Sequence, residues 1–378
     1  MSKNLIICYG GKSTEKDVSI ITALQIYKKY KVKNFDITLV YINAEGEWFV
    51  GNSLSEFKNY AGGMDTKKLQ KVGLQLNSNF LYKIKNNKYK SLFKIDFILN
   101  CCHGGDGENG NLTALFEMCG IPSSTGSSES LMIMMDKFLT KEVLIANDLP
   151  TIDFFLIEKN DWMLARDKVK AQLEQFGLPI VCKPCAQGSS VGVYLIENIQ
   201  DFDKAVNLCF DFGTRVIVER AIMNKREFNI AVKLKNGEAV ASLVEEPIAK
   251  NTVISFADKY MSGGGKLKGG AKTTHIGGME TSERKFPAEI NKKLERKITY
   301  IAKTFYNLVN ANSVVRIDFL YDTNNGALYL GEANAIPGSL GYYFFDREDF
   351  LEEIVKESME YWRKIFMKKY TTPVAKIF

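Results

Sequence analysis

The sequence predicts two mixed architectures in series: an N-terminal α/β unit on a parallel sheet, then an α+β remainder on antiparallel sheet. Three observations carry this. Residues 5–9 are a fully apolar run ended by Gly10-Gly11, residues 18–30 carry apolar positions at helical spacing, and residues 35–42 are a second strand-like run. That β-turn-α-β order is the unit of a doubly wound parallel sheet. Later, strand-like segments at 215–219, 227–235 and 238–246 follow one another in hairpin fashion, which suits an antiparallel sheet with helices on one face. The third is length: 378 residues allow about two or three domains with a cleft between lobes.

In chain order, Leu5-Ile6-Ile7-Cys8-Tyr9 lacks polar alternation and reads as a strand buried on both faces. Residues 51–94 are rich in Lys, Asn and Gly with weak periodicity, an elaboration with no visible chemistry. Residues 95–102 form another buried strand, 104–110 its loop, and 111–119 a helix. The small residues of 123–128 mark a domain joint, and two helices follow to Asn147. Strands at 152–158, 179–183 and 191–196 then alternate with helices at 161–176 and 200–211. Residues 249–278 contain Gly263-Gly264-Gly265, Gly269-Gly270 and Gly277-Gly278 with Lys259, Lys266, Lys268 and Lys272. Such a stretch cannot bury itself and reads as a disordered loop or a mobile lid. A helix at 288–309, strands at 313–321 and 327–333, and a closing helix at 349–367 complete the chain, with no internal repeat.

Composition narrows the class. The chain is 46% hydrophobic and 25% charged with 8 prolines and 29 glycines, which excludes collagen, a disulfide knot, a disordered tail and a coiled coil. A net charge of +6, spread along the chain, suits an anionic substrate and does not call for nucleic acid. Seven cysteines sit mostly in apolar runs, the usage of reduced cytosolic thiols; Cys182 and Cys185 form a lone C-x-x-C better read as core thiols than as half a zinc site. No run reads as a signal peptide or a membrane span, so a cytoplasmic protein without membrane partners is expected.

Three segments can carry chemistry. Residues 105–110 satisfy G-x-G-x-x-G after a strand and before a helix, but the acidic residue at the right distance, Glu129, lies at a helix start; this disfavours a nicotinamide site. Arg316 and Asp318 share one strand face, and Glu332 and Asn334 share another. If those strands pair, an Arg, two carboxylates and an amide converge inside apolar strands, a donor set that suits Mg²⁺ with substrate phosphates. Lys183 leaves a strand and precedes Gln187-Gly188-Ser189-Ser190-Val191-Gly192, a small-residue loop suited to phosphate but not a Walker A loop, because the Lys comes first. An ordinary hairpin turn is the bland alternative.

Together these pieces resemble the ATP-grasp enzymes, and among them the D-alanine–D-alanine ligases. The matching segments are residues 10–19, residues 103–110, Met135-Asp136-Lys137, Lys183-Pro184 with Gly188-Ser189-Ser190-Val191-Gly192, Asp258-Lys259-Tyr260, Arg316-Ile317-Asp318, and Glu332-Ala333-Asn334 with Pro337-Gly338. They run in the family's order over nearly the whole chain.

The resemblance implies an ATP-grasp fold with an N-terminal parallel-sheet (preATP-grasp) domain at 1–124, a central subdomain at 125–217, and a C-terminal subdomain at 218–378 bearing the lid 249–278. It implies ATP-dependent joining of two D-alanines through an acyl phosphate, for peptidoglycan precursors, with two Mg²⁺ ions (or Mn²⁺), in a homodimer. By the same resemblance Lys137, Lys183 and Lys259 serve the phosphates, Ser189 and Ser190 also bind the nucleotide, Glu219 takes the adenine amino group and Glu227 the ribose. Asp318, Glu332 and Asn334 are implied as metal ligands, Glu15 as the holder of the first ammonium, and His103 as a neighbour of that substrate's carboxylate. Ser189 and Tyr260 are implied to lock the lid against Glu15, while Arg316 and the Gly338 N–H form the oxyanion hole. The family usually has Met-Thr after the Pro-Gly and a Ser a few residues on; here the run is Ser339-Leu340-Gly341-Tyr342-Tyr343, so Tyr342 or Tyr343 is expected to bind the second carboxylate. A related ligase with another small amino acid or hydroxy acid as second substrate, and a catalytically silent ATP-binding protein on the same fold, are the alternatives.

Overall fold

The structure is a computed structural model and describes residues 2–248, 283–345 and 348–369. The expected lid, with Lys259 and Tyr260, lies outside the described residues. Three main sheets organise the chain. The first is seven-stranded: β1 (Lys3–Gly10), β2 (Phe35–Ile42), β3 (Trp48–Val50), β4 (Gln70–Gln75), β5 (Ser78–Lys85), β6 (Lys88–Lys94) and β7 (Phe97–Asn100) lie in the order β6-β5-β4-β3-β2-β1-β7. Helix α1 (Lys16–Lys29) links β1 to β2, and both neighbours of β1 pair with it in parallel. Every residue from Leu5 to Tyr9 is fully buried, as an unalternating apolar run requires.

Residues 51–94 depart from the expected loose elaboration. They hold three 3₁₀ turns and β4–β6, which extend the parallel core as an antiparallel meander. Their strands are mostly half-buried or exposed, so polar and apolar residues mix without clean alternation, and periodicity could not show them.

Helices α2 (Asn111–Met118), α3 (Ser128–Met135) and α4 (Lys137–Ala146) lead to the second sheet. It comprises β8 (Phe154–Glu158), β9 (Ile180–Pro184), β10 (Tyr194–Ile196) and β11 (Arg215–Arg220), in the antiparallel order β10-β9-β11-β8. The single helix expected at 161–176 is two, α5 (Lys159–Leu164) and α6 (Arg166–Phe176), because Ala165 leaves helical geometry at φ −138°. Helix α7 (Phe202–Cys209) completes this layer. The junction expected at 217/218 falls inside β11, which keeps its pairing with β9 to Arg220; the break between sheets lies after that residue.

The third sheet uses β12 (Lys225–Lys235) and β13 (Glu238–Ala241) and, beyond a two-stranded ladder of β14 (Glu246–Pro247) with β15 (Arg284–Lys285), β16 (Val315–Asp322) and β17 (Leu328–Asn334). Its order is β13-β12-β16-β17. Helix α8 (Lys292–Leu308), capped by the Asn291 side chain at Leu294 N (2.9 Å), covers one face. It buries Ile298, Ile301, Ala302 and Phe305, one stripe at i, i+3, i+4, i+7. A fully buried Ile or Phe of that kind contributes about 1.5–3 kcal/mol. Helix α9 (Phe350–Lys369) packs back against β7 and β12. Among the described residues no helix is long and apolar enough to cross a membrane, and the seven cysteines, Cys182 and Cys185 included, are free and buried.

Candidate active site

Strand β1 lies between β2 and β7, so the chain leaves the ends of β1 and β7 in opposite directions and opens a crevice at their carboxyl ends. The loop after β1 delivers Glu15, and the loop after β7 delivers His103 and Glu108; all three line one cleft. Glu15 is buried and accepts a hydrogen bond from the Ser189 hydroxyl. Two glycines permit this. A Cβ on Gly104 would stand 2.4 Å from Ser13 Oγ and 2.7 Å from Glu15 Oε2, and one on Gly188 would stand 2.7 Å from the same oxygen. Ser189 and Ser190 take left-handed backbone, φ 50° and 59°, a strained geometry that presents the loop to the cleft.

Glu108, within the glycine-rich segment, joins the two ends of the chain. It accepts from Gly104 N–H at 2.7 Å and from Ile336 N–H at 3.3 Å, tying the loop that bears Gly338 to the N-terminal unit. Burial first, and then the negative Glu15, push its carboxyl up to about 8. His103 Nε2 is 2.9 Å from Thr22 Oγ1, which also accepts from Ser339 N–H at 3.1 Å. Burial and the nearby Arg316 guanidinium push His103 down to about 3, so its imidazole is neutral at neutral pH. The glycine run thus shapes this wall, and Glu129 stands in the first turn of α3 rather than at a strand end.

The opposite wall comes from the third sheet. Register places Asn229, Asp318 and Glu332 in one cross-strand row, and Ala231, Arg316 and Asn334 in the next. Gly331 is an unpaired bulge: Asp318 opposes Glu332 while Phe319 opposes Leu330. The bulge turns Leu328 and Leu330 into the core under α8 while Glu332 and Asn334 face the cleft. Arg316 donates to both Asp318 oxygens at 2.7 Å, and Asn334 Nδ2 reaches Asp318 Oδ2 at 3.3 Å. Among the described residues no cluster of three His, Cys, Asp or Glu side chains stands ready for a metal. Two carboxylates in register with an amide beside them form a hard oxygen set that fits Mg²⁺ completed by substrate oxygens.

Lysines approach from the central unit. Asp136 caps α4 by accepting from Phe138 N–H (3.0 Å) and Leu139 N–H (3.1 Å), which starts the helix at Lys137. Lys137 donates to the Gln187 carbonyl and lies 3.8 Å from Glu332 Oε2. Lys183 pairs with Glu219 Oε2 at 2.8 Å, and Lys141, one turn beyond Lys137, pairs with Glu219 Oε1 at 3.1 Å. Burial would raise the Glu219 carboxyl; the two ammonium groups outweigh it and hold it below the usual range.

Glu15, His103, Lys137, Ser189, Arg316, Glu332, Asn334 and Gly338 therefore line one cleft. Asp318 joins them through Arg316 and Asn334. Lys183 and Glu219 are neighbours of each other, and Glu227 pairs with Lys225 at 2.9 Å on its own strand. The two tyrosines separate. Tyr342 packs edge-on to Tyr30 with Lys29 Nζ 3.8 Å over its ring, in the core between α1 and α9. Tyr343 stacks on Phe344 under the Arg284 guanidinium, 4.4 Å from its ring. Its buried hydroxyl has no hydrogen-bond partner among the described residues and feels the charges of Glu245, Arg316, Arg284 and Asp318. Sequence reasoning missed Glu108 and Lys141. Each had a signal: a carboxylate inside a glycine run, and a second Lys one helical turn after the first.

The family model described as the D-ala D-ala ligase N-terminus matches residues 4–127, and that for the C-terminus matches residues 143–348. A D-alanine–D-alanine ligase of Thermosipho melanesiensis is 32% identical over 362 residues, spanning 94% of this chain and 92% of that protein. One from Thermosipho africanus is 30% identical over 357 residues, spanning 94% and 92%. Among solved structures, the D-alanyl-alanine synthetase A of Vibrio cholerae superposes with a TM-score of 0.76 at 24% identity, covering 96% of this chain and 98% of that one. A D-Ala:D-Ser ligase of Enterococcus faecalis gives 0.74 at 24% identity, covering 96% and 100%.

Proposed function

The chain belongs to the D-alanine–D-alanine ligase family of ATP-dependent ligases, and from that premise we propose that it joins two D-alanines for peptidoglycan precursor synthesis. The observation that carries the reading is the meeting in one cleft of the buried Glu15 carboxylate with Arg316, Glu332 and Asn334. The first is built to hold an ammonium; the others suit a carboxylate meeting a phosphate.

A carboxylate is a poor electrophile, so it is first phosphorylated by ATP, and two anions must then approach. Glu15 holds the first D-alanine by its ammonium and Ser189 fixes the carboxylate's direction. Neutral His103 lies beside that substrate's carboxylate without adding charge. Lys137, Lys183 and Ser190 hold phosphate oxygens, Glu219 takes the adenine amino group, and Glu227 the ribose hydroxyls. Asp318, Glu332 and Asn334 would hold two Mg²⁺ ions, or Mn²⁺, which would supply positive charge against the repulsion between the anions. The amine of the second D-alanine attacks the acyl phosphate, and Arg316 with the Gly338 N–H receives the oxyanion. Tyr343 donates to the second carboxylate; its unpartnered buried hydroxyl supports this role over Tyr342. Three units, divided near residue 124 and, given where β11 ends, after Arg220, assembled as a homodimer, complete the proposal.

The test is phosphate release from ATP with D-alanine, L-alanine, D-serine or D-lactate, with product masses measured. D-Alanyl-D-alanine is the expected product. ATP consumption with a different second substrate would keep the chemistry and overturn the product. No ATP consumption with any of them would make this a silent binder.

A further inference from the structure

None of residues 51–94 lines the cleft. They hold nine lysines, no arginine and two acidic residues, a net charge of +7, so the rest of the chain sums to −1. The positive charge expected to be spread along the chain is concentrated in this one meander. Its densest part is the outer hairpin, where Lys83 on β5 stands directly opposite Lys90 on β6, and Lys85 opposite Lys88. Positions two apart on a strand share a face, so the four lysines form a square about 5–7 Å on a side at the chain. Lys85, Lys88 and Lys90 are exposed and Lys83 is half-buried. Lys68, Lys71 and Lys94 of the same meander reach acidic partners, Asp65 at 3.4 Å, Glu47 at 2.6 Å and Asp96 at 3.8 Å. Among the described residues none of the four in the square has such a partner.

Like charges directly opposite each other cost stability. Lysines on an edge strand deter pairing with other chains, and β6 is the edge of its sheet, which accounts for Lys88 and Lys90. Lys83 and Lys85 lie on the inner strand and protect no edge. The same hairpin and the turn before it also expose large apolar side chains: Leu76, Phe80, Tyr89 and Leu92. Strand β6 is open to water on both faces, with Phe93 alone of its residues half-buried. Approached along this edge, lysines and apolar side chains meet one surface together.

We propose that the β5–β6 hairpin docks the protein on an anionic lipid bilayer, as a peripheral contact remote from the cleft. Lysine is a point charge without the planar fork of arginine, so a patch of lysines alone senses charge density more than the positions of particular phosphates. That favours a laterally mobile anionic surface over a nucleic acid backbone. Exposed Leu76 and Leu92 have no base to stack on but can enter the headgroup boundary, and a basic patch with apolar side chains supplies the two signals that reversible membrane attachment uses. A second copy of the hairpin would bring lysine onto lysine. The expectation of no membrane partner rested on the lack of a spanning segment, which does not bear on a contact of this kind. The inference is independent of the ligase reading.

The experiment sediments the full-length protein with vesicles of phosphatidylcholine alone or with about one-third phosphatidylglycerol. The wild type should partition at least about tenfold more onto the anionic vesicles, and about 1 M salt should release it. Each lysine near such a surface is worth about fivefold, so Lys83→Gln/Lys85→Gln/Lys88→Gln/Lys90→Gln should lose at least about tenfold. Lys292→Gln/Lys293→Gln/Arg296→Gln/Lys297→Gln removes the same charge from exposed positions of α8 and should lose less than about twofold. Leu92→Ser should weaken binding severalfold and leave its salt dependence unchanged. No preference of the wild type for anionic vesicles overturns the inference, and so does an equal loss in the α8 variant, which would make net charge the cause. Binding of a labelled single-stranded RNA through the same four lysines, without vesicle binding, assigns the surface to nucleic acid and overturns it as well. If thermal melts show that the fourfold hairpin variant does not fold, Lys88→Gln/Lys90→Gln on the exposed edge should lose at least about threefold, and no loss there overturns the inference. A wild type that binds the vesicles but consumes no ATP with D-alanine leaves this inference standing and overturns the ligase reading alone.

Discussion

The Ser189 hydroxyl donates to the Glu15 carboxylate across 174 residues of sequence. One partner sits on a strained turn of the central unit, and the other at the start of the first crossover helix. The bond ties the N-terminal wall of the cleft to the central unit at the point where an ammonium would enter. Glu15→Gln should raise the first-substrate KM by about tenfold to hundredfold, since a charge-assisted contact is worth about 1.5–3 kcal/mol. A double-mutant cycle with Ser189→Ala should show coupling above about 0.5 kcal/mol. Additive effects would mean that the bond has no part in substrate binding.

Glu332 faces Asp318 across the bulge at Gly331. Glu332→Gln keeps the shape and removes a charge. It should leave nucleotide binding measurable and abolish turnover, with a higher Mg²⁺ requirement for whatever remains. Turnover within about tenfold of wild type would show that Glu332 is not a metal ligand.

Tyr343 and Tyr342 are adjacent in sequence and differ in surroundings. Tyr343→Phe should raise the second-substrate KM by about tenfold to hundredfold at saturating ATP and first alanine. Tyr342→Phe should leave it unchanged, because that ring packs against Tyr30 and Lys29. Equal and small effects would remove Tyr343 from the second-substrate wall.

Two buried groups give stability opposite pH slopes. Glu108 is raised from 4.5 to about 8 by burial, so the folded chain binds its proton more tightly than the unfolded one, and stability falls as pH rises between those values. His103 is lowered from 6.5 to about 3 by burial, so its contribution is lost as pH falls through that window. Above pH 6.5 only the Glu108 slope of the two remains. The melting temperature of the wild type should therefore fall relative to that of Glu108→Gln as pH rises from about 6.5 to 8. Parallel curves would show that Glu108 does not titrate there.

Much of the fold was legible in the sequence because it is local. Leu5 to Tyr9 could only be a strand buried on both faces, and the stripe Ile298, Ile301, Phe305 could only be a helix on a sheet. The family segments, read in order, also led to Glu15, Ser189, Arg316, Asp318, Glu332 and Asn334 without coordinates. Simple alternation, however, puts Leu328, Leu330, Glu332 and Asn334 on one face; the bulge at Gly331 puts them on two. Where the rings of Tyr342 and Tyr343 pack depends on a loop with left-handed residues at Ser339, Leu340 and Gly341, held by Thr22 and Gln25 of α1. Glu108 and Lys141 acquire meaning only from Ile336 and Glu219, 228 and 78 residues away by their numbering. Propensity and periodicity act over a few residues, so the sequence by itself determined the elements and the chemical inventory. The pairing of buried charges is decided by which distant segments exclude water from one another, and that only the tertiary structure could settle.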